Sequence, residues 1–353
     1  MLNKRNATLD VARGLAVLSM APIHTVLFYS NLPVKQGMLG NFLGFIAEHF
    51  DAPVFMFLMG ISITLSKRKA NVQMIRQVLK LFALGYLLNF LKFGLPVLAG
   101  LMPESFFLDN SIPKGTQGII KLLLVGDILQ FAAIGFLICS FMYRLKNYAL
   151  FAILSATIVI GISPFLWGIE AGKASLQMFT GLFIGRPPEI FFPAFPWLAY
   201  PLTGLAAGYG IQFFRPRRLI LIFFVGGLCL MITGWCIGRR EPIDWESEFY
   251  RLGPGGTLYH LGVIGIWIPV CHLIQLVLKR SSLIDYLILL SRNITLVYFV
   301  QWVIICWLLP IFGYGKLNLS GSLLAIFITS LCTMIISWLI KKVFKTYCAN
   351  ASR

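Results

Sequence analysis

The chain is short of charge, and of negative charge above all. Charged residues make up 12% of its 353 positions, and 13 Asp and Glu stand against 30 Lys and Arg. An ordinary soluble domain carries about 25% charged residues, so a water-soluble globule of this composition is excluded. Histidine is scarce, at four residues. The seven cysteines (Cys139, Cys229, Cys236, Cys271, Cys306, Cys332 and Cys348) form no CxxC. An odd count without motif spacing argues against a disulfide framework and against a metal site, and small buried apolar roles suit them better. There is no low-complexity run, no visible internal repeat and no cleavable leader. The first apolar run is long, lacks a small-residue cleavage end and opens on Asp10 and Arg13, so it reads as a first transmembrane helix. The net charge of +17 is scattered over short loops, which excludes a nucleic-acid partner and points instead to anionic lipid heads.

What the chain does have is apolar length. It is 58% hydrophobic, with a mean hydropathy of +0.82. A helix needs about 20 apolar residues to cross the bilayer, and ten runs qualify, over 11–30, 43–65, 77–100, 119–142, 148–167, 190–214, 219–238, 256–279, 290–312 and 320–344. The expected fold is an all-α integral membrane bundle of about ten transmembrane helices, one polytopic domain over 1–353 with no separate soluble domain. Numbering the ends of these runs alternately puts 20 of the 30 basic residues on the side of both termini. The positive-inside bias then makes both termini cytoplasmic, in a multi-pass protein of the cell (inner) membrane.

Ionisable groups at membrane depth are costly and are kept mainly where they work. In the first run, Arg13 and His24 are eleven residues apart and return to nearly the same helix face, and Asp10 can pair with Arg13 one turn away. The second run opens on Glu48, His49 and Asp51 ahead of Pro53, so an imidazole stands beside carboxylates, as a general base requires. A solvated helix start explains the same residues, and an ion pair with a carbonyl-bonded imidazole explains the first set. Further polar groups within apolar runs are Asp127 and Gln130, Tyr259 and His260, Arg292 and Asn293, and Tyr298 and Gln301. His272 stands alone and reads as structural. Trp197 lies in the proline-rich segment 192–208, as an interfacial aromatic or as part of a site.

Five segments carry a resemblance. LDVARGLAVLSMAPIH (9–24), EHFDAPVFMFLMGISITL (48–65), GDILQFAAIGFL (126–137), FPAFPWLAYPLTGLAAG (192–208) and SRNITLVYFVQWVI (291–304) resemble, in order, blocks of the transmembrane acyltransferases related to heparan-α-glucosaminide N-acetyltransferase. Asp51 stands where that family has Cys, Ile23 where an Asp often precedes the histidine, and Gln301 where it has a histidine. The resemblance implies acetyl-CoA or another acyl-CoA as cytosolic co-substrate. The acceptor it implies is an amine or hydroxyl of an outer-side glycan or small molecule. On this reading His49, or else His24, is base or acyl-carrying nucleophile, and Asp51 or Asp127 stabilises the imidazolium. Arg13 and Arg292, with Asn293, hold donor phosphates; Gln130, Tyr298 and Gln301 orient the thioester; Trp197 and His260 face the acceptor. The alternative is a permease for a small polar or acidic metabolite. Partners are the lipid bilayer, acyl-CoA and the acceptor, with room for a homodimer.

Overall fold

The computed structural model describes residues 6–66, 70–169, 174–242, 249–279 and 281–351. The basic residues Lys4, Arg5, Lys67, Arg68, Lys69, Arg280 and Arg353, which count toward the cytoplasmic bias, lie outside the described residues. Among the described residues the regular structure is all helical, with two isolated β-bridges. The main helices are α1 (Ala7–Tyr29), α2 (Met38–Ile46), α3 (Ala52–Leu65), α4 (Asn71–Asn89), α5 (Ile128–Met142), α6 (Tyr148–Leu166), α7 (Ala199–Phe213), α8 (Pro216–Gly238), α9 (Pro254–Val277), α10 (Ser282–Arg292), α11 (Ile294–Trp307) and α12 (Leu319–Ala351). Among the described residues, seven helical stretches are long and apolar enough to cross a membrane, and eight if the bent pair α10–α11 counts as one.

Three expected spans are interrupted, each for a local reason. The run 119–142 starts its long helix only at Ile128. Asp127 accepts the Ile128 N–H, and the Gln130 side chain accepts the Asp127 N–H, forming a reciprocal capping box. Gly126 just before it exchanges backbone hydrogen bonds with Glu189 and Phe191. The run 190–214 is split by Pro193 and Pro196 into the short turn Ala194–Trp197 and α7. The run 290–312 bends by 81° between α10 and α11, where Asn293 leaves helical geometry and its side chain bonds the Leu289 carbonyl.

Two other interruptions are single π turns, Ala47–Asp51 between α2 and α3 and Phe90–Gly94 after α4. Each precedes a proline, and the geometry explains why. Pro53 and Pro96 have no N–H for the carbonyl four residues back, and their rings crowd it. Those carbonyls belong to His49 and Lys92. Widening the turn relieves the crowding, and π turns of this kind are frequent at functional sites.

The chain forms two compact units. The first is Met1–Arg13, Glu48–Leu87 and Leu124–Ile284; the second is Gly14–Ala47, Leu88–Leu123 and Asp285–Arg353. In the first unit α3 lies against α7 with almost no space between backbones. A Cβ added to Gly60 would fall 2.1 Å from the Pro201 carbonyl oxygen, and one on Gly204 would fall 2.0 Å from that of Phe57. Small residues that admit such an approach are the common solution in membrane helix packing, where dispersion rather than water exclusion drives association. In the second unit the α1 hydroxyls find partners along α11 and α12: Thr25 with Thr329 at 2.7 Å, and Tyr29 donating to the Ile305 carbonyl at 2.6 Å.

Candidate functional site

The first unit gathers a histidine–carboxylate cluster. His49 sits in the wide turn Ala47–Asp51, and its ring centroid lies 4.8 Å from that of His260 and 6.0 Å from that of Tyr259 on α9. His260 is buried, with Nδ1 3.4 Å from the Tyr200 hydroxyl of α7. Asp51 is buried too, and its Oδ1 meets no hydrogen-bond partner among the described residues. Tyr250 stands in the turn Phe249–Arg251. Burial, and then the charges of Asp127, Glu48 and Asp51, push its phenol above the usual range. Three carboxylates therefore act on one hydroxyl. Trp197 closes this neighbourhood from within, since its indole N–H donates to the Tyr250 carbonyl at 2.9 Å and its ring packs against Phe192, Tyr200 and Phe249. That burial removes Trp197 from the interfacial belt, the plainer of its two expected roles.

The second unit holds a different cluster. His24 of α1 is half-buried, stacks on Trp302 of α11 at 4.1 Å between ring centroids and meets Tyr298 edge-on at 6.5 Å. The Gln301 amide nitrogen lies 3.1 Å from His24 Nδ1. An amide nitrogen can only donate, so the neutral imidazole carries its proton on Nε2. Lys92, 2% exposed, sets its ammonium 4.6 Å from the Trp302 ring centroid and 4.8 Å from that of Phe93. Two buried atoms here, Gln301 Oε1 and Trp302 Nε1, have no hydrogen-bond partner among the described residues.

The twelve expected site residues are therefore distributed unevenly. His49, Asp51, Asp127, Trp197 and His260 come together in the first unit; His24, Tyr298 and Gln301 come together in the second. Arg13 is held by Ser62 at 2.9 Å and by Asp10 at 3.5 Å. Arg292 is exposed at the end of α10, with Asn293 at the bend beside it. Gln130 is fully buried and engaged at both ends of its amide, by the Asp127 N–H and the Val125 carbonyl. His272 bonds Thr8 at 3.0 Å, in keeping with a structural role. Sequence reasoning passed over Lys92, Trp302, Tyr200 and Tyr250. For Lys92 a usable signal existed, a proline four residues on, as at His49.

These features define a multi-pass, all-helical membrane protein with buried polar clusters built around histidines. The chain belongs to the heparan-alpha-glucosaminide N-acetyltransferase catalytic family, a family of membrane acetyltransferases whose model matches residues 5–232. No curated protein matches the chain.

Proposed function

We propose that the protein is an acyltransferase of the cell membrane that moves an acetyl or other acyl group from cytosolic acyl-CoA to an amine or hydroxyl on the outer side. The observation that carries this reading is the His49 cluster, an imidazole on a wide helical turn that also carries Glu48 and Asp51, with its ring 4.8 Å from that of His260. His49 takes the proton of the acceptor amine or hydroxyl as its nitrogen or oxygen attacks the thioester carbonyl. The new amide or ester bond forms as the C–S bond breaks, and CoA leaves as the thiolate. Asp51 or Asp127 stabilises the imidazolium that forms on His49. Arg13 and Arg292 offer guanidinium groups for donor phosphates, with Asn293 at the same bend as Arg292. Gln130, tied into the capping box, holds Asp127 in place and is left out of thioester binding.

Membranes carrying the protein, supplied with radiolabelled acetyl-CoA on the cytoplasmic side, are expected to release free CoA and to place label in glycans, lipids or small molecules across the membrane. Stoichiometric CoA retention, with no label beyond that of protein-free membranes, would sink the reading.

The accompanying topology has ten crossings, both termini cytoplasmic, and residues 31–42, 168–189 and 239–255 outside. It rests on the 20-to-10 division of the basic residues. Reporter fusions after residues 180 and 348 should register opposite sides, and the same side for both would overturn it.

A further inference from the structure

The acyl-transfer reading makes no use of α8, the barest of the long apolar helices among the described residues. Its buried residues are three glycines, Gly227, Gly234 and Gly238. They face α9. A Cβ added to Gly227 would fall 2.8 Å from the Gly262 carbonyl oxygen, and one on Gly234 would fall 2.3 Å from the Tyr259 nitrogen. The two helices therefore run antiparallel, and the start of α8 lies level with the end of α9. The other flanks of α8 expose Leu221, Ile222, Phe224 and Val225, a face that suits lipid chains. Its 23 residues span about 34 Å, slightly more than the hydrocarbon core of about 30 Å. Residues just ahead of the helix thus reach the level of the lipid headgroups. Arg215, Arg217 and Arg218 stand there around Pro216, and Lys279 follows α9 at the same level. All four are exposed, and among the described residues no carboxylate pairs with any of them. Arg218 instead lies 5.2 Å from the centre of the Phe214 ring. Cations at the start of a helix oppose its dipole, so the stability of α8 does not account for them.

From this arrangement we infer that residues 215–218, with Lys279, form a docking surface for the headgroup of an anionic phospholipid. The phosphodiester takes paired N–H groups from the guanidinium forks, a geometry that an ammonium cannot offer. The acyl chains of the same lipid lie along Leu221, Ile222, Phe224 and Val225, one turn and more below the arginines. A zwitterionic headgroup brings its own ammonium toward four cations and is disfavoured. Free phosphate answers the charge but has no chains for the apolar face. The surface belongs to one unit and does not depend on acyl transfer. Binding is measured without acyl-CoA, and failure here leaves the His49 reading untouched.

The test uses the full chain in detergent, supplied with equimolar palmitoyl-oleoyl-phosphatidylglycerol and palmitoyl-oleoyl-phosphatidylcholine. Native mass spectrometry counts the lipids that stay bound. The unaltered protein should retain phosphatidylglycerol in excess. A basic residue near an anionic surface is worth about fivefold in affinity, so the Arg215→Gln, Arg217→Gln, Arg218→Gln triple variant should lose about tenfold or more of that excess. Each single variant should lose several-fold, and the singles carry the test if the triple does not fold. A second triple variant, Arg76→Gln, Lys80→Gln, Lys341→Gln, removes the same charge from exposed positions elsewhere and should keep the excess. Inorganic phosphate at millimolar concentration should not displace the lipid. Equal retention of the two lipids by the unaltered protein overturns the inference, as does an unchanged excess in the folded variants at 215, 217 and 218. Equal loss in the second triple variant would reduce the effect to net charge, and displacement by phosphate would reduce it to a site for the free anion; either overturns it too.

Discussion

Replacing His49 with alanine should lower acyl transfer by about 10²–10⁴-fold, the usual loss when a positioned general base is removed. The expectation rests on where the residue is. Its ring is within 4.8 Å of the His260 ring, on a turn that also carries Glu48 and the buried Asp51, and no second imidazole of this unit shares that position. His260 is buried against Tyr200 and His272 bonds Thr8. The measurement is initial transfer from labelled acetyl-CoA in membranes, with CoA binding and the detergent melting temperature measured in parallel. The loss should appear in the rate, with CoA affinity and melting near those of the unaltered protein. A folded His49→Ala protein that transfers at close to the original rate would show the imidazole to be structural and move the burden to His24.

Replacing Gly204 with valine should disrupt the first unit as a whole. The added Cβ meets the Phe57 carbonyl oxygen at 2.0 Å and its carbonyl carbon at 2.8 Å, and a backbone oxygen in a helix cannot swing aside as a side chain can. Either α3 and α7 separate along their length or one of them kinks. Overpacking of this kind costs about 1–3 kcal/mol, occasionally more. Because Asp51 and His49 lie just ahead of α3 and Tyr200 lies on α7, the separation should also pull apart the His49–His260–Tyr200 cluster. Thermal unfolding in detergent, with Gly210→Ala as comparison, checks this. At Gly210 an added Cβ meets only side-chain atoms, at 3.3 Å or more. Equal melting temperatures for the two variants would mean that the helices have slack the geometry does not show.

Hydropathy made most of the fold legible, because a bilayer demands long apolar helices and little else of equal strength. It was blind to the breaks. Asp127 and Asn293 each occupy one position in a strongly apolar window, so an average over the window passes over them, whereas local hydrogen bonding lets each end a helix. The site was legible where rare residue types stood out. His49, Asp51 and His260 are conspicuous in such a chain, and the His49 and His260 rings lie 4.8 Å apart. It was illegible where partners come from residue types that also serve as packing. Trp302 and Tyr250 look like any other aromatic of a membrane protein, and Tyr200 owes its contact with His260 to the packing of α7, which is set by glycines rather than by charge. His24 and His49, the two alternatives for the base, fall in different compact units.

The two π turns have a consequence for how this chain tolerates change in length. An α-helix advances about 100° per residue, and a π turn holds one residue more than the helix it interrupts. Deleting a single residue between Ala47 and Asp51, or between Phe90 and Gly94, would restore an unbroken helical spiral and shorten the chain by only one position. The flanks would keep nearly their present orientation, because five residues of a π turn and four of an α-helix each cover a little more than one revolution, and the loss would fall on the turn itself. His49 or Lys92 would trade places with an apolar neighbour while the hydropathy profile stayed almost the same. Each turn thus absorbs one extra residue without disturbing the faces on either side, and a deletion that would be harmless in a loop becomes, at these two points, a change of which side chain occupies the wide turn.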